Sequence, residues 1–338
     1  MKAKLRNIVQ AGAYWSGLSD LYGAMTRMSG AVILMYHSVA ETGEARDIDP
    51  ANHVPAAVFE SQMRFLASNR RVISFRELVE ALIAGVTPPG GTVVLTFDDG
   101  YVDNASVAAP ILDGLKLPAT LFLPTGYIER AETHWVDELY GVLRSRTVGR
   151  ARLEGLGLLE FGPPDEESPA RRLLHRKLLE SDYPSRRQLL DQVREQLKPR
   201  EPAPRLTLDW PSVRHLAARF PLFDLGVHSR DHIDLCTHRG EDARREIAQS
   251  IADFRQELGR EPEWFSFPYG RWCGETRALL EFSGIRAAVG SGDRLRISAG
   301  SDRFLMSRIG VGPSMTRLRL HSGLSSSRTW SSSRRLER

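Results

Sequence analysis

The stretch TVVLTFDDGY at 92–101 constrains this chain more than any other. Its short β-branched run, Val93–Phe97, is typical of a strand buried on both faces. Asp98 and Asp99 follow at once, and charges at the end of a buried strand are costly unless a site uses them. Such strand ends carry the chemistry of α/β sheets and barrels. Gly100 permits the bend that would let both carboxylates serve one site, although an Asp-Gly turn would show the same residues.

Other short apolar runs alternate with segments of helical periodicity. We predict strands over 31–36, 119–123, 222–227, 264–267 and 287–289. We predict helices over 58–69, 75–84, 104–115, 208–219, 241–258 and 276–282. This alternation is typical of an α/β fold in which helical crossovers join parallel strands.

Three segments differ from this pattern. Residues 1–29 predict an amphipathic helix that packs on the domain or lies at a membrane surface. Residues 141–205 mix positive and negative charges at helical spacing and predict a helical insertion, with helices capped by Ser168 and Ser185. Residues 324–338 are polar and basic, which predicts a disordered tail.

The bulk composition is that of a soluble globular protein, with 41% hydrophobic and 26% charged residues. A net charge of +4, without a zinc-finger, homeodomain or RNA-module pattern, does not indicate a nucleic-acid partner. The sequence contains no apolar run long enough to span a membrane and no h-region of a signal peptide. We therefore expect a cytoplasmic protein, or one attached to the cytoplasmic side of a membrane through residues 1–29.

Histidines form the second polar group at a strand end. His228 and His232 follow the 222–227 strand and stand four residues apart. A helical turn there would turn both rings the same way, which suits two nitrogen ligands on one metal. With one carboxylate of the Asp98–Asp99 pair they would leave open metal positions, and the other carboxylate would be free to act as a base.

Several other residues are weaker candidates. His37 ends the 31–36 strand, but a lone histidine is more often a hydrogen-bonded structural residue. Cys236, His238 and His134 are rival metal ligands, and each alone is more often incidental. The two cysteines of the chain form no disulfide framework.

Three spaced motifs, TFDDG at 96–100, HSRDH at 228–232 and FPYG at 267–270, resemble the polysaccharide deacetylase family, the NodB-homology carbohydrate esterases of the family 4 type. Supporting segments are MYHSV at 35–39, PTGYI at 124–128 and WVDEL at 135–139. The resemblance covers roughly residues 31–312, and three motifs in order are a far more specific signal than any one. It implies a distorted (β/α) barrel, and we expect one catalytic domain over residues 30–323.

The resemblance also implies the chemistry and the roles of individual residues. The family removes N-acetyl, and sometimes O-acetyl, groups from carbohydrates with a divalent metal, usually zinc, with cobalt, manganese or nickel as alternatives. By motif, Asp98 is the general base, and a metal-bound water is the nucleophile. The metal ligands implied are Asp99, His228 and His232. A backbone N–H near Tyr101 would help to hold the oxyanion, and Pro268 with Tyr269 would form a wall of the sugar groove.

Two departures from the family pattern affect the catalytic residues. The third motif often has an arginine that orients the base, whereas this chain has Ser266 there, so the partner of Asp98 is open. The family's late Leu-x-His motif supplies a general acid, for which His321 in Leu318-Arg319-Leu320-His321 and His37 are the candidates. A metal-bound water is the third alternative for this role.

The leading hypothesis is a metal-dependent carbohydrate deacetylase, a hydrolase of carbon–nitrogen bonds other than peptide bonds. The alternatives are a glycan-binding module without turnover, and a deacylase or deformylase that acts on a lipid-linked sugar. The partner expected in the first case is an acetylated amino-sugar glycan.

Overall fold

The computed structural model describes residues 29–320 except 42, 44, 164–167, 293, 294, 314 and 316–319. The predicted helix over 1–29, apart from its last residue, lies outside the described residues, as do His321 and the predicted 324–338 tail. Among the helices that are described, none is both long and apolar enough to cross a membrane.

Strands and helices alternate along most of the described chain. The strands are β1 (Ala31–Tyr36), β2 (Arg71–Val72), β3 (Thr92–Phe97), β4 (Ala119–Leu123), β5 (Arg150–Leu153), β6 (Gly157–Glu160), β7 (Phe223–Val227), β8 (Trp264–Ser266), β9 (Ala287–Gly290) and β10 (Met306–Gly310). The α-helices are α1 (Ala56–Asn69), α2 (Phe75–Ile83), α3 (Ala109–Gly114), α4 (Thr125–Arg130), α5 (Trp135–Ser145), α6 (Pro169–Leu179), α7 (Tyr183–Leu197), α8 (Trp210–Arg219), α9 (Glu241–Leu258) and α10 (Gly274–Glu281).

Seven parallel strands close into a barrel in the order β1–β3–β4–β7–β8–β9–β10. Closure is made by β1, which pairs with β3 on one side and with β10 on the other. The short β2 pairs with the start of β3 and stays outside the ring. The distorted (β/α) barrel predicted from the sequence is therefore confirmed. All carboxyl ends of the barrel strands meet at one mouth, because every pairing is parallel.

Side chains on the barrel strands alternate between two apolar clusters. Leu34 and Leu95 belong to a cluster shared with residues of α1, α8 and α9, so they face the outer helices. Ile33, Val94 and Met306 belong to a cluster that joins strands across the ring and includes residues of α2. Since such a cluster can form only inside the barrel, these residues fill its interior.

The helices that cover the barrel begin at recognisable caps. Ser74 starts α2 with a capping box, in which its hydroxyl accepts from the Glu77 N–H and the Glu77 carboxylate accepts from the Ser74 N–H. The helix predicted over 104–115 is instead a π-helical turn at Asn104–Ala108 followed by α3. The strands β2 and β10 were not predicted, because a two-residue run and a run interrupted by Arg308 have no clear period.

The insertion between β4 and β7 is mainly helical, as predicted, but it also contains the antiparallel hairpin of β5 and β6. Ser168 caps α6, as predicted, by accepting from the Arg171 N–H at 3.2 Å. The prediction for α7 was wrong by one turn: Asp182 is its cap, and the Ser185 N–H donates to it at 3.0 Å. The charged cap begins the helix earlier and leaves Ser185 inside the first turn.

Candidate active site

The two acidic residues lie where β3 ends. The Asp98 N–H still donates to the Tyr36 carbonyl at 3.0 Å, so Asp98 continues the parallel pairing with β1. The chain then turns at Asp99 and Gly100, whose φ angles are 71° and 66°. Aspartate is among the few residues that adopt this left-handed conformation readily. The predicted bend is thus present, and it begins at Asp99 itself.

The two histidines follow β7 in a loop rather than in the helical turn on which their prediction rested. Ser229 and His232 have φ angles of 58° and 48°, and these two left-handed residues turn the loop back on itself. His228 Nδ1 donates to the Ser266 carbonyl at 2.7 Å. Because a carbonyl can only accept, this bond places the proton on Nδ1 and leaves Nε2 with a free lone pair.

Three buried donor atoms converge from these loops. Asp99 Oδ1 lies 3.6 Å from His228 Nε2 and 3.3 Å from His232 Nε2. The two Nε2 atoms are 3.2 Å apart. Ligand atoms about 2.1 Å from a tetrahedral Zn²⁺ are about 3.4 Å from one another. Asp99 Oδ1 also lacks a hydrogen-bond partner despite its burial, so the arrangement fits a divalent metal.

The rival ligands do not join this group. Among the described residues, only Asp99, His228 and His232 place donor atoms close enough together to share an ion. His134 lies nearby, with its ring centroid 4.4 Å from that of His232, and it is buried without a partner for either nitrogen. His238 Nε2 contacts the Glu180 carbonyl at 3.0 Å.

Burial and neighbouring charges set the ionisation of the donors. Burial lowers the pKa of His228 to about 4, which keeps its imidazole in the neutral form that binds metals. Burial alone would raise the pKa of Asp99, but the imidazoles of His134, His232 and His37 around it hold that pKa well below its ordinary value. The cluster therefore presents a carboxylate and a neutral ring at neutral pH.

Asp98 is held by an arginine that the sequence analysis missed. Arg308 Nη1 donates to Asp98 Oδ1 at 2.8 Å and Arg308 Nη2 donates to Asp98 Oδ2 at 2.6 Å. Burial would raise the pKa of Asp98, but the Arg308 guanidinium and His228 outweigh it and keep the pKa below its ordinary value. The only sequence signal was a basic residue within the apolar segment Met306–Gly310.

His37 lies beside Asp98 at the barrel mouth. β1 and β3 are paired with Tyr36 opposite Phe97, so His37 and Asp98 are the next residues of their strands. His37 Nε2 is 4.0 Å from Asp99 Oδ2, and the His37 side chain is 20% exposed. It is therefore the partly open histidine beside an otherwise closed cluster.

The three predicted substrate-contact residues lie at the same mouth. Tyr101 is buried and its hydroxyl donates to Asp137 Oδ2 at 2.6 Å, so its side chain is not free to contact a substrate. Burial raises the pKa of Asp137 to about 8. Tyr101 and Thr207 face each other in a short antiparallel backbone pairing. Its hydrogen bonds are donated by the N–H groups of Val102 and Leu208, so the Tyr101 N–H takes no part in it.

Tyr269 supports the histidine loop through its hydroxyl. It donates to the His232 carbonyl at 3.0 Å and accepts from Trp135 Nε1 at 2.9 Å. Its ring stands edge-on to the His232 ring, with centroids 4.6 Å apart. Pro268 beside it is buried, whereas Tyr269 is partly exposed, so the ring rather than the hydroxyl is available to a sugar.

Arg186 of the insertion also holds this loop. Its side chain is fully buried and its Nη1 donates to the carbonyls of Asp231 and His232 at 3.1 and 3.3 Å. Its Nε and Nη2 donate to the carbonyls of Leu178 and Ser181. The insertion therefore fixes the backbone of a candidate metal ligand.

We expect Arg186→Met to weaken zinc affinity by about 10-fold or more, because residues that orient metal ligands typically contribute 10–100-fold. The carbonyls left unpaired should also lower the free energy of unfolding by about 2 kcal/mol. Competition with a chromogenic chelator and thermal unfolding measure the two effects. Arg187→Met is the matched control, since Arg187 lies next to Arg186 but pairs with Glu138 and Asp191 instead. Equal zinc affinity in the two variants would contradict the role of Arg186.

The match to a known protein family covers the residues of this candidate site. The family model described as polysaccharide deacetylase matches residues 85–158 and 189–288. These ranges hold Asp98, Asp99, His228 and His232. The chain belongs to the polysaccharide deacetylase family.

A curated relative of this deacetylase-family chain is the putative polysaccharide deacetylase YxkH of Bacillus subtilis (strain 168). The two are 30% identical over 131 residues, which is 37% of this chain and 44% of the relative. The match thus spans less than half of that protein.

Solved structures share the fold over most of the chain. The Streptococcus pyogenes deacetylase PplD in complex with acetate superposes with a TM-score of 0.57 at 18% identity, covering 86% of this chain and 96% of that one. IcaB from Ammonifex degensii gives a TM-score of 0.56 at 16% identity, covering 88% and 98%. The de-N-acetylase from Aggregatibacter actinomycetemcomitans gives 0.51 at 17% identity, covering 82% and 94%. These likenesses support the barrel fold of this family member.

Proposed function

We propose that this protein is a metal-dependent deacetylase that hydrolyses N-acetyl groups on a carbohydrate. The observation that carries the proposal is a buried carboxylate, Asp98, placed beside a separate three-donor cluster of Asp99, His228 and His232. Hydrolysis of an amide needs both electrophilic activation and a base for water. The family membership supports deacetylation as the reaction.

Asp99, His228 and His232 would hold the ion. One carboxylate oxygen and two imidazole nitrogens at tetrahedral spacing suit Zn²⁺, with cobalt, manganese or nickel as alternatives. A bound ion would act as a Lewis acid that polarises the acetyl carbonyl and makes nearby water more acidic.

Asp98 would take the proton of the attacking water. Its carboxylate stays ionised because the Arg308 guanidinium pairs with both oxygens. Oδ2 also accepts from Ser266 Oγ, so Oδ1 is the oxygen that keeps a lone pair for the water. The Tyr101 N–H would donate to the acetyl carbonyl oxygen, which becomes the oxyanion when water attacks. The partly exposed Tyr269 ring would supply an apolar wall for the sugar, whereas Pro268 is buried behind it.

His37 is the proposed general acid, because it is the partly exposed histidine at the mouth and lies next to Asp98. We expect His37→Asn to lower kcat on an N-acetyl amide by about 10²–10⁴-fold, since the leaving amine needs a proton. The same variant should hydrolyse 4-nitrophenyl acetate nearly normally, because that leaving group departs without protonation. Zinc content should not change.

His321→Asn is the matched comparison for His37, since the family motif offers His321 as the other acid candidate. If His321→Asn shows the selective loss on the amide while His37→Asn stays active, the acid role belongs to His321. A loss of both amide and ester activity in His37→Asn would indicate a role other than proton donation to the leaving group.

The test of the function is acetate release from a panel of N-acetylated and O-acetylated glycans. The purified protein would be assayed after chelation and again after addition of zinc. Zinc-dependent release from an N-acetylated glycan is the expected result. Glycan binding without release by zinc-loaded protein would favour the glycan-binding alternative. Release only from a lipid-linked acylated sugar would favour the deacylase alternative.

A further inference from the structure

The position of the missing family arginine is filled by a small side chain. Ser266, the last residue of β8, stands where the third motif often has arginine. Its side chain is fully buried, and its Oγ lies 3.3 Å from Asp98 Oδ2. A serine there is too short and carries no charge to hold the Asp98 carboxylate with two bonds.

Arg308 reaches the same carboxylate from β10, two strands away around the barrel. Its two terminal nitrogens bind the two Asp98 oxygens side by side, and Nη2 also donates to Ser266 Oγ at 2.8 Å. Nη1 also lies 3.3 Å from Thr96 Oγ1. The guanidinium is thus fixed by groups on β3 and β8 and is itself buried.

Strand periodicity explains why these side chains meet. Met306, Val94 and Trp264 belong to the apolar cluster of the barrel interior. Two residues further along their strands stand Arg308, Thr96 and Ser266, which face the same way because side chains alternate with a period of two. The interior layer nearest the mouth is therefore polar, and Arg308 fills it above the apolar layer.

We propose that Arg308 is the residue that positions the catalytic base in this chain, with Ser266 leaving the space through which its guanidinium reaches Asp98. The inference rests on the proposed role of Asp98 as base. The bidentate contact fixes both the place and the rotation of the carboxylate, and small misplacements of a catalytic group strongly reduce rate. The barrel-closing strand β10 then belongs to the catalytic machinery, although the family match ends at residue 288.

The test compares Arg308→Lys, which keeps the charge but loses the two-pronged contact, with wild type. We expect zinc content and KM to remain within about twofold and kcat to fall about 10²-fold, because Arg308 contacts the base and not the substrate. Arg303→Lys is the control, since Arg303 precedes β10 and its Nε donates to the Arg286 carbonyl, away from Asp98. A purely structural Arg308 would lower the melting temperature of the lysine variant while the folded, zinc-loaded fraction kept its kcat, and this result would overturn the proposal.

A transplanted arginine gives a second test. Arg308→Ser should lose activity. The double variant Ser266→Arg with Arg308→Ser should be at least tenfold more active than Arg308→Ser, because the guanidinium would then reach Asp98 from β8. No recovery in a folded, zinc-loaded double variant would count against the positioning role.

Two further readouts separate this inference from the proposed function. Hydrolysis of 4-nitrophenyl acetate needs an activated water but no glycan. If the wild type hydrolyses this ester but no glycan, that result contradicts only the proposed substrate and leaves the role of Arg308 open to measurement on the ester. A crystal structure of Arg308→Lys needs no activity at all. We expect the Asp98 carboxylate to be rotated or displaced in it, and an unchanged Asp98 would overturn the inference.

Discussion

Replacing Asp98 with asparagine is expected to leave zinc bound while lowering kcat by about 10³-fold, within the range that general-base catalysis contributes. An amide cannot take a proton from water at neutral pH, whereas its shape is almost that of the carboxylate. The three atoms proposed to bind the metal belong to Asp99, His228 and His232, so their number does not change. Steady-state kinetics with zinc-loaded protein and metal analysis of the same sample measure both effects.

The loss in Asp98→Asn should appear on amide and ester substrates alike, unlike the loss in His37→Asn. This difference follows because every acetyl transfer to water needs the base, but only a poor leaving group needs the acid. Asp113→Asn is the control, since Asp113 is an exposed carboxylate of α3 that pairs with Lys116. Full activity of Asp98→Asn would show that the base is another residue.

Asp99→Ala and His228→Ala are each expected to lower zinc affinity by roughly 10²-fold. Four-ligand structural zinc sites bind with about 10–16 kcal/mol, so one ligand contributes about 3 kcal/mol. Activity should fall in step with bound zinc and should return in part when excess zinc is added. Metal analysis after dialysis and a zinc titration of activity measure these effects.

His215→Ala provides the control for general effects of histidine loss, because His215 lies exposed on α8. A reversed pattern, in which Asp98→Asn loses zinc and Asp99→Ala retains it, would exchange the roles of the two carboxylates. Neither the buried cluster nor the hydrogen bonds of Arg308 would explain that result, since the Arg308 guanidinium already pairs with the Asp98 carboxylate and would repel a cation there.

Local sequence was sufficient for the strand ends and for the motifs they carry. β1 and β4 lie where the apolar runs indicated, and α9 begins and ends where its periodicity does. Parallel strands bring their carboxyl ends to one mouth, so Asp99, His228 and His232 could be expected together before their distances were known. The conformation of the histidine loop could not be predicted from the sequence, because it depends on two left-handed residues and not on a helical turn.

The sequence by itself determined the barrel class, the strand ends and the residues that converge there, since these depend on hydrophobic period and on short motifs. Only the tertiary structure decided what holds them. Arg308 is 210 residues from Asp98, and Arg186 is 46 residues from His232. An arginine carries no local sign of the carboxylate or carbonyl it will meet, because that partner is set by barrel closure and by the packing of the insertion. The partner of Asp98, the proposed base, is therefore set by contacts between strands that are distant in sequence.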